Sequence, residues 1–453
     1  MSLQPSSTRF RDPGLRALFS EQARWQSWLD VEAGLAAAQA ELGIVPKAAA
    51  QKIAEVARLE LLDDAAIRAG LAKTGHPLVP LVWELARVSG GEAGGWVHWG
   101  ATTQNILETG DNMLLKRAHA VLLDQFHQLL TALANVAERS AETPLAGRTH
   151  GQHAVPVTFG YKVAVWIDEL LRHLERLRAI EPRVFVAMLG GAAGTFASLG
   201  PQGPATQERL AARLGLKATA VPSRSHRDRE AEYVCLMALI AGTGGKIANE
   251  IYMLMKQEFA EAREPVPAGT VGSSTMPQKR NPILCQDAVA GSAQVRALVP
   301  LALEAMMSEH EANRATTVMM RSAVGPAVIG VGDILGRLIA IMEGLELDAS
   351  AMRRNLDATG GMILSEAVMM QLAETFGRQE AHDIVYDVTE RVMAGGGSFA
   401  EELAADPHVR DKLDAAAIAK LLDPAAYTGL CADMAREQAA LARKAAAELA
   451  VAG

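Results

Sequence analysis

The sequence predicts an all-α protein whose long helices form a bundle and associate with further copies of the chain. Three observations carry that expectation. From Ile106 to about Ile341 the chain reads as long helical stretches with few interruptions. Apolar residues recur at helical spacing, most cleanly at Leu236, Ile240, Ile247, Ile251 and Leu254, with Thr243 filling the missing turn. No stretch alternates apolar and polar residues in the way a half-buried strand would. Periodic helices of this length point to a bundle or a coiled-coil-like association. Their apolar stripes then serve contacts between subunits as well as the core, an expectation that a monomer in sedimentation would overturn.

Taken in order, residues 14–86 read as several short helices, with Trp25, Trp28 and Leu29 giving way to Val31, Leu35 and Ala38 at helical spacing. Four glycines between Ser89 and Gly95 mark a candidate boundary. The polar run His98-Trp99-Gly100-Ala101-Thr102-Thr103-Gln104-Asn105 opens the next helical segment. Long helices are expected at about Asn112–Ser140, Thr158–Ile180 and Arg227–Arg263. From about Gly360 the helices shorten again, separated by loops such as Gly395-Gly396-Gly397 and the Asp423-Pro424 turn.

Composition bounds the function. The 453 residues are 49% hydrophobic and 21% charged, which describes a soluble globular protein with a large core. A net charge of −8 argues against nucleic acid as a partner, because phosphate binding needs a basic face. It leaves room for an anionic small substrate in a locally basic site. Three scattered cysteines, Cys235, Cys285 and Cys431, form no disulfide framework and fit a reducing cytoplasm. The N-terminus lacks an apolar signal core, and the glycine-rich stretch Val184–Gly200 is too short to span a bilayer. His and Cys do not cluster at metal-ligand spacing, and there is neither a Gly-x-Gly-x-x-Gly turn nor a Walker loop, so no metal or nucleotide cofactor is implied.

Chemistry-bearing residues fall in five clusters, read as lying at or near helix ends: His98–Asn105, Gly147–His153, His226–Arg229, Gly272–Pro282 and Glu309–Arg314. The fourth reads Gly-Ser-Ser-Thr-Met-Pro-Gln-Lys-Arg-Asn-Pro. Its two prolines and opening glycine exclude a regular helix or strand, leaving a loop of imposed shape that concentrates hydroxyls, a lysine and an amide. In the second cluster His150 and His153 are suited to exchanging protons at neutral pH, or alternatively to hydrogen bonding neighbouring helices. His226 and His310 read as satisfied structural histidines, and Arg227-Asp228-Arg229 as a solvated charge run. Cys285 reads as packing, since no base is placed to activate it. Ser273 and Ser274 lack the strand–turn–helix setting of a hydrolase elbow.

All fixed positions of Gly272–Pro282 match the Gly-Ser-Ser-x-Met-Pro-x-Lys-x-Asn-Pro signature, and the chain thereby resembles the fumarase/aspartase superfamily. The resemblance extends to Gly100–Asn105, to Gly147–Pro156, and in general character to nearly the whole chain. Within the superfamily it is similar to the adenylosuccinate lyase and 3-carboxy-cis,cis-muconate cycloisomerase branch. That resemblance implies three helical domains, with bounds near 1–110, 111–358 and 359–453. The middle one is a long five-helix bundle, assembled into a homotetramer whose active sites are shared between subunits. It also implies β-elimination that releases fumarate from a succinyl group, without a cofactor, on a small di- or tricarboxylate.

By position, Ser273 matches the family's catalytic base, which removes the proton at Cβ. Lys279 and Asn281 match the residues that stabilise the aci-carboxylate intermediate, and His150 matches the general acid toward the leaving group. Thr102, Thr103 and Thr149 match holders of substrate carboxylates, and Gln104, Ser274, Met276, Lys256 and Arg314 complete the implied binding set. Lys256 stands where relatives commonly carry glutamine, and suits a further anionic group on the substrate.

The chain also departs from its relatives. His150 fits the lyases, whereas bacterial muconate cycloisomerases usually carry tryptophan there. Gly75-His76-Pro77-Leu78-Val79-Pro80-Leu81-Val82 and Leu422-Asp423-Pro424-Ala425-Ala426-Tyr427 instead resemble the cycloisomerases. The phosphate-gripping Ser-Gln-Arg of adenylosuccinate lyase is here Ser365-Glu366-Ala367, and Gln286 replaces the glutamate that supports the histidine in the lyases. The expectation is therefore a lyase cleaving a C–N bond in an N-succinyl-type dicarboxylate. The alternatives are muconate-type lactonisation and a non-catalytic, crystallin-like use of the fold.

Overall fold

A computed structural model of the chain describes residues 10–266, 275–276 and 278–452. Its frame is a five-helix bundle: Thr103–Arg139, Phe159–Val184, Asp228–Leu254, Ile283–Arg296 continued by Val299–Glu304, and Arg314–Glu343. The all-α expectation holds. The stripe on Asp228–Leu254 is inward, with Leu236, Ile240, Thr243, Ile247, Ile251 and Leu254 all buried. Helices Asp228–Leu254 and Arg314–Glu343 are long and apolar enough to cross a membrane. However, 61% and 78% of their most apolar windows are buried within the chain itself, as in core helices.

Contacts at the helix ends give the bundle its polarity. Arg321 Nε donates to Asp111 at 2.9 Å near the start of the Thr103 helix, and Arg139 Nη2 donates to the Leu345 carbonyl at 2.6 Å at its end. The Arg314 helix therefore runs alongside the Thr103 helix in the same direction. The Phe159 helix returns the other way: Phe159 N–H donates to Thr143 O at 2.9 Å, while Asn112 Nδ2 meets Val186 O at 2.9 Å beyond its far end. Arg227, just before the Asp228 helix, pairs with Glu108, so that helix runs with the first. The 37 residues of Thr103–Arg139 span about 55 Å. The bundle thus has two widely separated ends, called here the threonine end and the hairpin end.

Several element bounds differ from the sequence reading, each for a local reason. The helix expected from Asn112 begins at Thr103 instead. Thr102 N–H is satisfied by Asn105 Oδ1 at 3.0 Å, and the glycine at 110 lies within the helix where a side chain would collide with Trp28. The helix expected to reach Arg263 stops at Leu254. The chain turns through Ala260, with φ 54°, into a two-residue bridge pairing Ala262–Arg263 with Glu346–Leu347. The glycines of 89–95, read as a candidate boundary, include a short helical turn, Gly91–Gly94. Contrary to the expectation of no β-structure, strands β1 (Pro144–Thr149) and β2 (Gln152–Thr158) pair as an antiparallel hairpin. Gly147, Pro156 and a register shift between Ala146 and Arg148 hide its alternation.

Shorter helices cover the bundle. Glu21–Glu41 buries Trp25, Trp28, Leu29, Val31, Leu35 and Ala38. A separate apolar core, including Val368, Leu372, Val388, Phe399 and Leu403, holds the C-terminal helices together. The last helix, Cys431–Ala452, returns to the main core through Ala439, Ala442, Ala446 and Leu449.

Candidate active site

His150 sits at the tip of the hairpin. Thr149 pairs with Gln152, leaving His150 and Gly151 as a two-residue turn with φ of 53° and 76°. Two successive positive φ values are the mark of the turn that best matches strand twist. The second central residue is glycine, which adopts that region without strain. The outcome is an exposed imidazole and an exposed Thr149 at the apex. The cluster Gly147–His153 therefore lies on a hairpin that joins the ends of two long helices.

A buried ion pair ties the hairpin down. Arg148 reaches Glu261 through two bonds of 2.6 and 3.0 Å, and Asn355 Nδ2 donates to the same carboxylate at 2.8 Å. Glu261 is fully buried, and the Arg148 guanidinium lies 4.9 Å from the centre of the Phe259 ring. Burial and the Arg148 charge lower the pKa of His153, keeping it neutral behind the turn. Glu261→Ala would strand the Arg148 guanidinium in this setting. It is expected to cost about 3–5 kcal/mol, read as a lower midpoint in chemical denaturation.

Lys256 is exposed at the same end, in the turn that follows Leu254. Its carbonyl accepts from the N–H groups of Phe259 and Ala260, at 2.9 and 2.7 Å. The later part of the signature loop also lies here. Lys279 is exposed, and its N–H donates to Met276 O at 3.0 Å, while Asn281 O accepts from Ile283 N–H at 3.0 Å. Ser273 and Ser274 lie outside the described residues. Buried Glu264, which the sequence reading did not single out, closes the segment: its carboxylate accepts from Leu284 N–H at 3.1 Å and Cys285 N–H at 2.9 Å. It thus satisfies the orphan donors at the start of the Ile283 helix from the far side of the loop. Cys285 is wholly buried, and burial together with Glu264 raises its thiol pKa, as a packing residue requires. Gln286 is exposed in the first turn of that helix.

The remaining predicted residues occupy the threonine end. Thr102 and Thr103 open the long helix, where the helix dipole favours an anion. Gly100, with φ 73°, brings the chain to within a methyl group of Leu199, so no larger residue fits beneath this turn. Gln104 is buried and exchanges two bonds with Arg224, donating to its carbonyl and accepting from its Nε, both at 2.9 Å. Arg314 is exposed at the first turn of its helix.

Two histidines outside the implied catalytic and binding set lie here as well. His98, held at φ 63°, places Nδ1 2.6 Å from the buried Glu32 carboxylate. Burial lowers its pKa, but the charge and hydrogen bond of Glu32 outweigh that and raise it. The pKa of His76 is lowered by burial, then by the charges of Arg314, Arg321 and His98. By contrast, His226 and His310 are exposed rather than satisfied inside the fold. Arg227 reverses the solvated reading given to its charge run. It is buried, paired with Glu108 and Glu230, and donates to Thr317 Oγ1 at 2.8 Å.

One chain thus brings His150, Thr149, Lys256, Met276, Lys279 and Asn281 to the hairpin end. It brings Thr102, Thr103, Gln104 and Arg314 to the other, about 55 Å away along the helix. Among the described residues no group of three His, Cys, Asp or Glu is placed to hold a metal ion.

Comparison with known proteins follows the same outline. A family model described as Lyase matches residues 8–297, and one described as Adenylosuccinate lyase C-terminus matches residues 361–437. The N-acetyl-S-(2-succino)cysteine lyase of Enterococcus italicus is 40% identical over 424 residues, covering 94% of this chain and 93% of that protein. The 3-carboxy-cis,cis-muconate cycloisomerase of Pseudomonas aeruginosa is 40% identical over 418 residues, covering 92% and 91%. The crystal structure of a fumarate lyase from Mesorhizobium sp. BNC1 aligns with a TM-score of 0.89 at 37% identity, covering 96% of this chain and 99% of that one.

Proposed function

The chain belongs to the Lyase family of the fumarase/aspartase superfamily, and on that premise we propose that it eliminates fumarate from a small heteroatom-linked succinate. Sulfur-linked succinates are the first candidate and nitrogen-linked ones the second. The observation that carries this reading is His150, an exposed imidazole at a hairpin apex, free to meet a leaving group. The nature of that leaving group follows from Gln286. An amide can orient an imidazole without adding the charge that a carboxylate supplies, so a leaving group that needs little help from a proton donor suits this site better. A thiolate, with an ordinary pKa near 8.5, departs with less proton help than an amine does. The N-acetyl-S-(2-succino)cysteine lyase at 40% identity supports the same order.

In the proposed reaction Ser273 removes the proton from the carbon beside one carboxylate. The negative charge spreads into that carboxylate, and Lys279 and Asn281 stabilise the resulting dianion electrostatically. The electron pair then forms the double bond of fumarate. The bond to the heteroatom breaks, its electrons leave with the heteroatom, and His150 supplies the proton. Thr102, Thr103, Gln104, Thr149, Ser274, Met276, Lys256 and Arg314 are assigned to holding the substrate. The separation of the two residue groups supports sites assembled from several copies of the chain, as in a homotetramer.

Adenylosuccinate itself fits poorly. Glu366 stands where a phosphate grip would be needed, and Tyr427 Oη donates to it at 2.9 Å. A carboxylate held there repels a phosphate. The second reading is 3-carboxymuconate lactonisation, favoured by the cycloisomerase at 40% identity. A panel separates the readings by absorbance: N-acetyl-S-(2-succino)cysteine, N-succinyl amines and 3-carboxymuconate. Fumarate released from the first two supports elimination. Consumption of 3-carboxymuconate without fumarate establishes the second reading instead.

A further inference from the structure

Behind Gln104 the threonine end contains a buried charge cluster that the proposed reaction does not use. Glu108 lies one helical turn along from Gln104 and accepts a hydrogen bond from its Nε2. The same carboxylate pairs with Arg227, whose guanidinium is 3% exposed and is itself held by Thr317 and, at 3.8 Å, by Glu230. The chain of contacts runs from the Arg314 helix through Arg227 and Glu108 to Gln104, and on to Arg224. Helix-mate Asp111, bonded to Arg321, and Arg24 from the Glu21–Glu41 helix line the same pocket. Buried Arg227 Nε and Glu230 Oε2 have no hydrogen-bond partner, so the polar groups of the cluster are incompletely satisfied.

We propose that Glu108 is a positioning residue for the carboxylate-binding threonine end, acting through Gln104, and that a dianionic ligand binding there draws a proton onto it. This inference rests on the reading that Gln104 and its threonines hold a substrate carboxylate. The geometry gives the coupling its sign. An ionised Glu108 adds a third carboxylate, beside Glu230 and Asp111, behind a site that must accept anions. Once protonated it leaves Arg227 less compensated while keeping an acceptor oxygen for Gln104 Nε2, so position is retained and only charge changes. Burial, then Glu230, push the Glu108 pKa up to about 7 against the opposing pull of Arg227 and of the Gln104 hydrogen bond, so the proton is exchangeable near neutrality. By reciprocity, a ligand that favours the protonated form binds more weakly as pH rises.

Calorimetric binding of fumarate, dianionic throughout this range, tests the proposal at pH 6 to 8. Wild type is expected to weaken about tenfold across that interval, with proton uptake visible in two buffers of different ionisation enthalpy. Glu108→Gln should bind at every pH as wild type does at pH 6, without Glu108-linked uptake. Glu230→Gln, which removes a neighbouring negative charge, should move the midpoint to lower pH and covers the case in which Glu108→Gln does not fold. Equal pH dependence in wild type and Glu108→Gln, or an unmoved midpoint in Glu230→Gln, overturns the inference. Absence of fumarate binding by wild type at any pH instead overturns the assignment of this end to carboxylates, and the inference falls with it.

Discussion

His150→Asn is expected to lower kcat on N-succinyl amines by about 10²–10⁴, the usual contribution of a positioned proton donor. The same variant should lose much less on an S-succino thioether, because a thiolate can leave unprotonated near neutral pH. KM should change little for either substrate, since the imidazole is assigned to the leaving group and not to the carboxylates. Steady-state kinetics on both substrate classes measures the difference directly. Equal losses on both would show that His150 has another task, and no loss on either would remove it from the mechanism. The variant should fold, because His150 is exposed and asparagine is among the residues that tolerate a positive φ.

The sequence made some of this legible and hid the rest for physical reasons. Helical periodicity reports burial on one face, which is why Leu236, Ile240, Ile247, Ile251 and Leu254 were readable as core. Periodicity cannot report partners brought in by other elements. Arg227 looks solvated between Asp228 and His226, and is buried only because Glu108, Glu230 and Thr317 surround it from three helices. Glu264 is similarly silent, since its partners are backbone N–H groups twenty residues further along the chain. The hairpin was missed because strand alternation there is broken by a register shift, although Thr-His-Gly-Gln is a readable turn. The signature Gly272–Pro282 identified the superfamily, yet motif residues carry no information about which end of a bundle they occupy.

That last point leads to the largest effect expected of the assembly. Thr102 begins the Thr103–Arg139 helix and His150 lies beyond its end, so a single chain holds them at opposite ends of a helix about 55 Å long. No side-chain motion closes such a gap, and a site needing both must draw them from different copies. Two variants, one damaged at each end, such as Thr102→Val and His150→Asn, should each be nearly inactive on an N-succinyl amine. Mixed under conditions that exchange subunits, they should recover roughly a quarter of wild-type activity, since random pairing joins two intact ends about one time in four. Each variant denatured and refolded alone is the control. Recovery would establish that the site spans subunits. Failure to recover, with exchange verified by mass-tagged chains, would mean that the two groups never share a site and that Thr102 or His150 is wrongly assigned.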